Sequence, residues 1–323
     1  MSVEARAARP PFAYHHELLL LIVLFLVVGV LAVGTDTFLT VDNVLNQGRL
    51  MTEVALVALP MTFIIITGGI DLSVGSIMGL AAIMLGVAWK NLGLPLELAI
   101  VVSIGVGAVA GFFNGLLINR LRVPPLIMTL ATLALYRGLA EGISQARSVR
   151  GYPEWFFVLG QGEVFGVPTQ LWILLVAIIA FWIVLAKTTF GRSLYAIGFN
   201  EEAARFSGIP VNRIKLIIYT LSGTMAGLAG YIFVSRVSTT RSDMGTGLEL
   251  DAIAAVVLGG TSIFGGVGTI AGTVVGFTLI QLLKNGLALS GVKGDATIVV
   301  IGTVLILSIL VSNFLQRRRG AGS

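Results

Sequence analysis

The apolar residues of this chain neither alternate nor keep to one helical face. They run nearly unbroken for the length of a membrane crossing and then give way to short polar or basic stretches. A helix needs about 20 predominantly apolar residues to cross the hydrocarbon of a bilayer. Runs of that order lie at 18–34, 51–68, 72–89, 97–118, 124–142, 170–186, 216–236, 249–264, 267–284 and 296–315. The pattern predicts an all-α, polytopic transmembrane helical bundle of about ten spans. Residues 1–17 and 316–323 become tails, 18–315 the membrane domain, and two long interruptions fall at 143–169 and 187–215.

Composition points the same way. Of the 323 residues, 56% are hydrophobic and 11% charged, whereas soluble domains carry about a quarter of their residues as charges. The 40 glycines lie largely within the apolar runs, where membrane helices tolerate them and small residues let helices approach closely. Cysteine is absent, and His15 and His16 both precede the first run. Thiolate metal sites, disulfides and an intramembrane histidine relay are therefore excluded, and no cofactor or metal is expected. The formal charge of +5 does not imply nucleic acid, because the arginines flank apolar runs instead of interleaving with aromatics.

Charge also orients the chain. Arg6, Arg9, Arg120, Arg122, Lys187, Arg192, Arg205, Arg213, Lys215 and Arg317 to Arg319 share one side of a ten-span arrangement, against Arg49, Lys90, Arg147, Arg150, Arg236, Arg241, Lys284 and Lys293 on the other, a modest bias. Basic residues concentrate on the cytoplasmic side, so both termini and the 187–215 loop are expected there. The first run lacks a clear small-residue cleavage site after it and is expected to stay as a span. The 143–169 loop is then external, and its Tyr152, Pro153, Trp155, Phe156 and Phe157 are expected to anchor at the membrane interface, with a surface for a partner protein as the alternative.

Within the cytoplasmic loop the sequence spells out one short helix over 201–207. Asn200 can cap free amides at its start, and Glu201 and Glu202 suit the positive end of its dipole. Gly208 suits the left-handed closing position, and Pro210 blocks continuation. Two turns are marginal in water. Docking on another protein and packing on the chain's own bundle both meet that need.

Two glycine-rich segments interrupt the spans. ITGGIDLSVGS sets Asp71 and Ser73 between Gly68, Gly69 and Gly75. Paired glycines let the backbone leave helical geometry, and the carboxylate can then cap the half-helix that follows. VLGGTSIFGGVG pairs Gly259 and Gly260 with Gly68 and Gly69, and Gly266 with Gly75, with Ser262 in place of the acid. A spacing near 190 residues suggests two weakly related halves, as in transporters built from repeats. These positions and Asn114, a mid-span amide, are candidates for helix breaks or a solute path. Arg137 and Glu141, four apart, are expected to pair.

GGIDLSVGS at 68–76, GRSLYAIGFNEEAARFSGIPVNRIK at 191–215 and AVVLGGTSIFGGVGT at 255–269 together resemble the ribose-type permeases of carbohydrate ABC importers. That group is related to branched-chain amino acid permeases. The resemblance covers about residues 20–315 and implies an importer permease fold in a bacterial cytoplasmic (inner) membrane. The partners it implies are a second permease subunit, identical or homologous, and an external or periplasmic solute-binding protein. To these it adds two cytoplasmic ATPase subunits, or one fused double ATPase. It also implies that Asn200, Glu201, Glu202, Ala203, Ala204, Arg205 and Gly208 form the ATPase-coupling element. A weaker likeness of Ser235, Arg241, Ser242, Asp243 and Gly245 to rhamnose and autoinducer-2 permeases tilts the solute that way.

The chain carries no engine of its own in sequence. A P-loop needs Gly-Lys-Ser/Thr to cradle phosphates, and none of Lys90, Lys187, Lys215, Lys284 or Lys293 follows a glycine. The expected role is a transport subunit without catalysis, with ATP used by partner subunits. The alternative is an ion-coupled secondary transporter of a small polar solute.

Overall fold

The computed structural model describes residues 12–35 and 37–292, with isolated positions at 296, 299, 302 and 303. The expected tenth span, Arg6, Arg9 and the C-terminal tail lie outside the described residues, those four positions apart. Among residues 12–292, twelve α-helices are described in order: α1 (Phe12–Gly34), α2 (Val41–Ile66), α3 (Val74–Gly86, prolonged by a π turn, Val87–Asn91), α4 (Leu96–Leu121), α5 (Pro125–Ser144), the single turn α6 (Val158–Gln161), α7 (Thr169–Lys187), α8 (Thr189–Phe199), α9 (Glu201–Phe206), α10 (Val211–Val237), α11 (Leu248–Leu258) and α12 (Ile270–Leu289). Among the described residues, seven helices are long and apolar enough to cross a membrane: α2, α3 with its π turn, α4, α5, α7, α10 and α12. The chain is a polytopic helical membrane protein.

The centre of the bundle is the second half of α2, fully buried from Ala55 to Ile66, packed against α10, α12, α7 and α11. Around it, α3 and α10 are mostly buried, while α4, α5 and α7 turn large apolar residues outward. The tightest seam joins α4 to α10. An added Cβ at Gly107, Gly111 or Gly223 would overlap backbone carbonyl oxygen across the seam, at Gly223, Tyr219 and Gly107 respectively. Glycines four apart on both helices thus allow backbone contact, the small-xxx-small device of membrane helices.

Three boundaries and one loop differ from the expectation. α1 starts at Phe12, inside the expected tail. α2 begins ten residues before its apolar run, at Val41, where Thr40 accepts the Asn43 amide. Its polar first turns are held by Asn43, Gln47, Gln281 and Asn285, which exchange amide hydrogen bonds of 2.7–3.1 Å between α2 and α12, with a further one of 3.2 Å from Gln47 to Asn43 within α2. The expected span 249–264 is only an 11-residue helix, α11, about 16 Å long and too short to cross. Finally, two of the aromatics of the 143–169 loop are not interface anchors, whereas Trp155 stays 45% exposed. Tyr152 and Phe156 are buried, stacked on each other at 4.4 Å, with Trp89 on Tyr152 at 4.5 Å and Tyr231 on Phe156 at 5.3 Å. Burial of these rings raises the Tyr152 phenol above its ordinary pKa.

The irregular segment 238–247 lies against α3. A Cβ at Gly75 would overlap the Gly245 carbonyl and the Glu249 carboxylate, and one at Gly79 would press on the Ser242 and Met244 carbonyls. Arg137 donates to both of those carbonyls, at 2.9 Å for Met244. The expected Arg137–Glu141 ion pair is absent among the described residues, because this guanidinium is used to satisfy non-helical backbone. Carbonyls of this segment that face α3 are thereby satisfied within the protein, while Arg241, Asp243 and Thr246 are exposed.

Candidate functional site

The three sequence motifs meet at one end of the bundle. α2 closes in a Schellman motif: the Gly68 amide donates to Ile65 at 2.9 Å and the Gly69 amide to Ile64 at 3.0 Å, with Gly68 left-handed at φ +78. α11 closes identically. The Gly260 amide donates to Val257 at 2.9 Å and the Thr261 amide to Val256 at 3.2 Å, with Gly260 at φ +88. The closing glycine must be left-handed to turn the chain out of the helix. Gly68 therefore corresponds to Gly260, not Gly259, and the register expected from the paired glycines shifts by one. Gly259 instead lets α11 approach α12, since its Cβ would overlap the Gly272 carbonyl. Gly75 and Gly266 are not equivalent. Gly75 sits in the first turn of α3, and Gly266 lies in a turn at φ +75.

Beyond the breaks the two halves diverge. Six residues separate α2 from Ser73 at the start of α3, whereas ten lie between α11 and Thr269, which caps α12 by accepting the Gly272 amide at 2.9 Å. The longer loop folds back on the first break: the Gly266 amide donates to the Ile66 carbonyl at 2.8 Å, which satisfies a carbonyl at the end of α2.

α8 rests on this junction, and sequence reasoning missed it. Residues 189–199 read as loop, yet Thr188 accepts the Gly191 amide at 3.2 Å and starts a helix. At its far end a Cβ on Gly198 would overlap the Ile66 carbonyl and the Gly266 amide, and one on Gly265 would lie 3.1 Å from the Gly68 amide nitrogen. Tyr195 donates to the Gly268 carbonyl at 2.7 Å. Gly68, Gly198, Gly265 and Gly266 form one junction of backbone on backbone. The signal in the sequence is the glycine spacing of all three motifs, visible only once they are folded together.

α9 follows without a gap. The Asn200 side chain accepts the Ala203 amide at 2.9 Å. Gly208, at φ +83, closes the helix with amide bonds from Gly208 to Arg205 and from Ile209 to Ala204, at 3.0 and 3.1 Å. Glu201 accepts from Arg205 at 2.7 Å and from Lys215 of α10 at 2.6 Å. Burial pushes the Glu201 pKa up, but the Lys215 and Arg205 hydrogen bonds outweigh it and hold the carboxyl below its ordinary range. Ala204 is buried against the bundle, while Glu202, Ala203 and Arg205 face outward. Phe199, Phe206 and Phe264 are 90%, 93% and 72% exposed. Large aromatics held out on polar turns are unusual unless something covers them.

Behind the first break lies a buried polar chain. Asp71 is fully buried. One oxygen accepts the Ser73 amide at 3.0 Å and the Ser73 hydroxyl at 2.6 Å, and the other accepts the Ser222 hydroxyl of α10 at 3.1 Å. It thus caps the residue before α3 and reaches no first-turn amide. Asn114 donates to the Ser73 hydroxyl at 2.7 Å and accepts from Tyr136 at 3.0 Å, so this network ties α3, α4, α5 and α10 around the break. A cavity of about 470 Å³ lined by Asp42, Asn43, Leu45, Asn46, Arg49 and Glu163 includes none of these motif residues.

Two helix ends that meet at glycine turns, a buried polar network beside them and an exposed helical element resting on that junction suit a membrane transport component. The chain matches the family model described as branched-chain amino acid transport system / permease component over residues 42–309, and it belongs to that family. It is 40% identical over 305 residues to the ribose import permease protein RbsC of Escherichia coli, covering 92% of this chain and 93% of that protein. It is 42% identical over 300 residues to RbsC of Bacillus subtilis, covering 92% of each. The autoinducer 2 import system permease protein LsrD of Yersinia enterocolitica is 35% identical over 322 residues, covering 95% of this chain and 97% of that protein.

Proposed function

We propose that this chain is the membrane-spanning permease subunit of an ATP-driven, binding-protein-dependent ABC importer that moves a monosaccharide or sugar-like solute into the cytoplasm. Its partners are a second permease subunit, two cytoplasmic ATPase subunits or one fused pair, and an external solute-binding protein. The observation that carries this reading is the meeting of α8 with both glycine turns, with α9 directly behind it, in a chain whose near-full-length relatives include sugar import permeases.

In this reading, α9 and the exposed Phe199, Phe206 and Phe264 dock on the ATPase at the cytoplasmic face. Closure of the ATPase pair displaces α8, and Gly198 and Tyr195 pass that displacement to Ile66 and to the 265–268 turn. The end of α2 and the turn after α11 then shift together, because the Gly266–Ile66 hydrogen bond joins them. Alternating access follows between two permease subunits. The chain performs no covalent chemistry and binds no nucleotide, and it holds Asp71 and Asn114 at the break.

For the solute, a ribose-type sugar comes first. The 235–245 stretch that pointed to rhamnose or autoinducer-2 has local structural work: Ser235 bridges Phe156 and Gly160, and Ser242 is held by Arg137. That lowers its weight as a solute signature. Uptake of labelled ribose, rhamnose and autoinducer-2 in cells stripped of their own importers, with this chain and its cognate partners restored, tests the assignment. Ribose uptake is expected. Transport of none of the three would refute the assignment of a ribose-type solute.

A further inference from the structure

Between α6 and α7 the chain makes a two-stranded hairpin: β1 (Glu163–Val164) pairs antiparallel with β2 (Val167–Pro168). The turn residues, Phe165 and Gly166, are both left-handed, at φ +55 and +72. This is the type I′ turn that suits two-residue hairpins, normally filled by Asn-Gly or Asp-Gly. A bulky side chain in that region is an outlier, and such strain persists where a side chain must be held in place. Phe165 is 94% exposed, so packing within the chain does not explain it.

The hairpin's position does. It runs directly into α7, whose exposed surface presents Leu175, Val176, Ile179 and Ile183, a lipid-facing wall. Nineteen residues make α7 about 28 Å long, close to the thickness of a hydrocarbon core of about 30 Å. Thr169 at its start must then sit at the polar boundary, and the hairpin beside it. Boundary residues mark both ends of this helix. Trp172 is exposed one turn in, and at the far end the Lys187 ammonium lies 5.6 Å from the Trp182 ring centroid. The Trp172 indole donates to the Val164 carbonyl at 3.3 Å, which ties the hairpin to the membrane-facing side of α7. At its base, Glu163 pairs with Arg49 of α2 at 2.5 Å, so the strand is fixed and its charge matched.

We infer that Phe165, with Val164 and Trp172, is a lipid anchor. The hairpin tip enters the boundary between headgroups and acyl chains in the leaflet opposite α8 and α9, and it pins the start of α7. An uncharged apolar tip beside an exposed indole fits that boundary. On the function proposed above, this anchor would hold the start of α7 in place while other helices move.

Because the chain contains no cysteine, Phe165→Cys gives a single spin-label site in the full chain reconstituted in phosphatidylcholine vesicles. Relaxation by oxygen, which partitions into lipid, and by a water-soluble nickel chelate then reports depth. The expected result is strong oxygen and weak nickel relaxation, approaching a label at Ile179→Cys on the wall of α7. Val164→Cys serves as a second site should the label at 165 distort the turn, with the same expectation. A label at either site that is as open to nickel as free label in buffer places the tip in water, available to a soluble partner, and overturns the proposal.

Discussion

Reversing the charge of Glu201 tests how α9 is held and what it does. Six helical residues give few hydrogen bonds against a costly nucleus, so α9 depends on its ties: the Asn200 cap, the Gly208 closure, and the ion pairs to Arg205 and Lys215. Glu201 and Arg205 are 38% and 44% exposed, whereas Lys215 is 13% exposed, so the Lys215 pair is screened less. Half-exposed pairs contribute about 0.2–1 kcal/mol each. Glu201→Gln then loses about 1 kcal/mol in all, the same as Asn200→Ala, whose cap is also worth about 1 kcal/mol. Glu201→Lys adds repulsion of similar size, for a total of about 2 kcal/mol, which is roughly a thirtyfold change in the ordered fraction of α9 at 1.36 kcal/mol per tenfold. The assay is sugar uptake by the reconstituted complex at neutral pH, with assembly checked by size-exclusion chromatography. Uptake should fall in the order wild type, Asn200→Ala and Glu201→Gln together, then Glu201→Lys, and Lys215→Glu should partly rescue the last. Because the folded carboxyl titrates below its ordinary value, its contribution is complete above about pH 4.5. It is lost only as pH falls through the lower folded value, so the ranking should hold from pH 5 to 8. Wild-type uptake by an assembled Glu201→Lys complex would refute the reasoning.

Three further outcomes follow from the junctions. Tyr195→Phe removes one hydrogen bond to Gly268, about 0.5–1.5 kcal/mol, and should lower sugar moved per ATP hydrolysed; an equal fall in both rates would mean the contact is only structural. Gly223→Ala sets a Cβ on the Gly107 carbonyl and should cost at least about 1–3 kcal/mol, read as lost thermal stability in detergent; a wild-type melting temperature would contradict the α4–α10 seam. Asp71→Ala leaves the buried Ser73 amide without its acceptor and should destabilise by about 1–3 kcal/mol, whereas Asp71→Asn keeps an acceptor and should melt closer to wild type. Equal losses from both would show that the charge, and not the hydrogen bonding, is what the break requires.

Local signals were legible in the sequence. The end of α9 needs a left-handed residue and a helix stop, and Gly208 and Pro210 supply both within three positions. The apolar runs likewise mark helices wherever lipid or core surrounds them. What stayed hidden depends on tertiary partners. The first turns of α2 are polar because Gln281 and Asn285 of α12 receive them, so hydropathy reads them as loop. α8 carries Arg192, Ser193 and two glycines and likewise looks like loop, although Gly191 and Gly198 are there for backbone contact. α11 reads as a span because the apolar residues of the 259–269 turn extend its run. Tyr152 and Phe156 have the composition of interface anchors but stack on Trp89 and Tyr231, residues far away in sequence. At the site, the glycine pairs identified the breaks, but the one-residue register and the meeting of both breaks under Gly198 required the fold.

Sugar uptake into vesicles containing this chain, with its energy source controlled, tests the central claim most directly. The account predicts ATP-dependent uptake only when the ATPase subunits and the binding protein are present, with no uptake from a proton or sodium gradient alone. Gradient-driven uptake by the chain without an ATPase would contradict it.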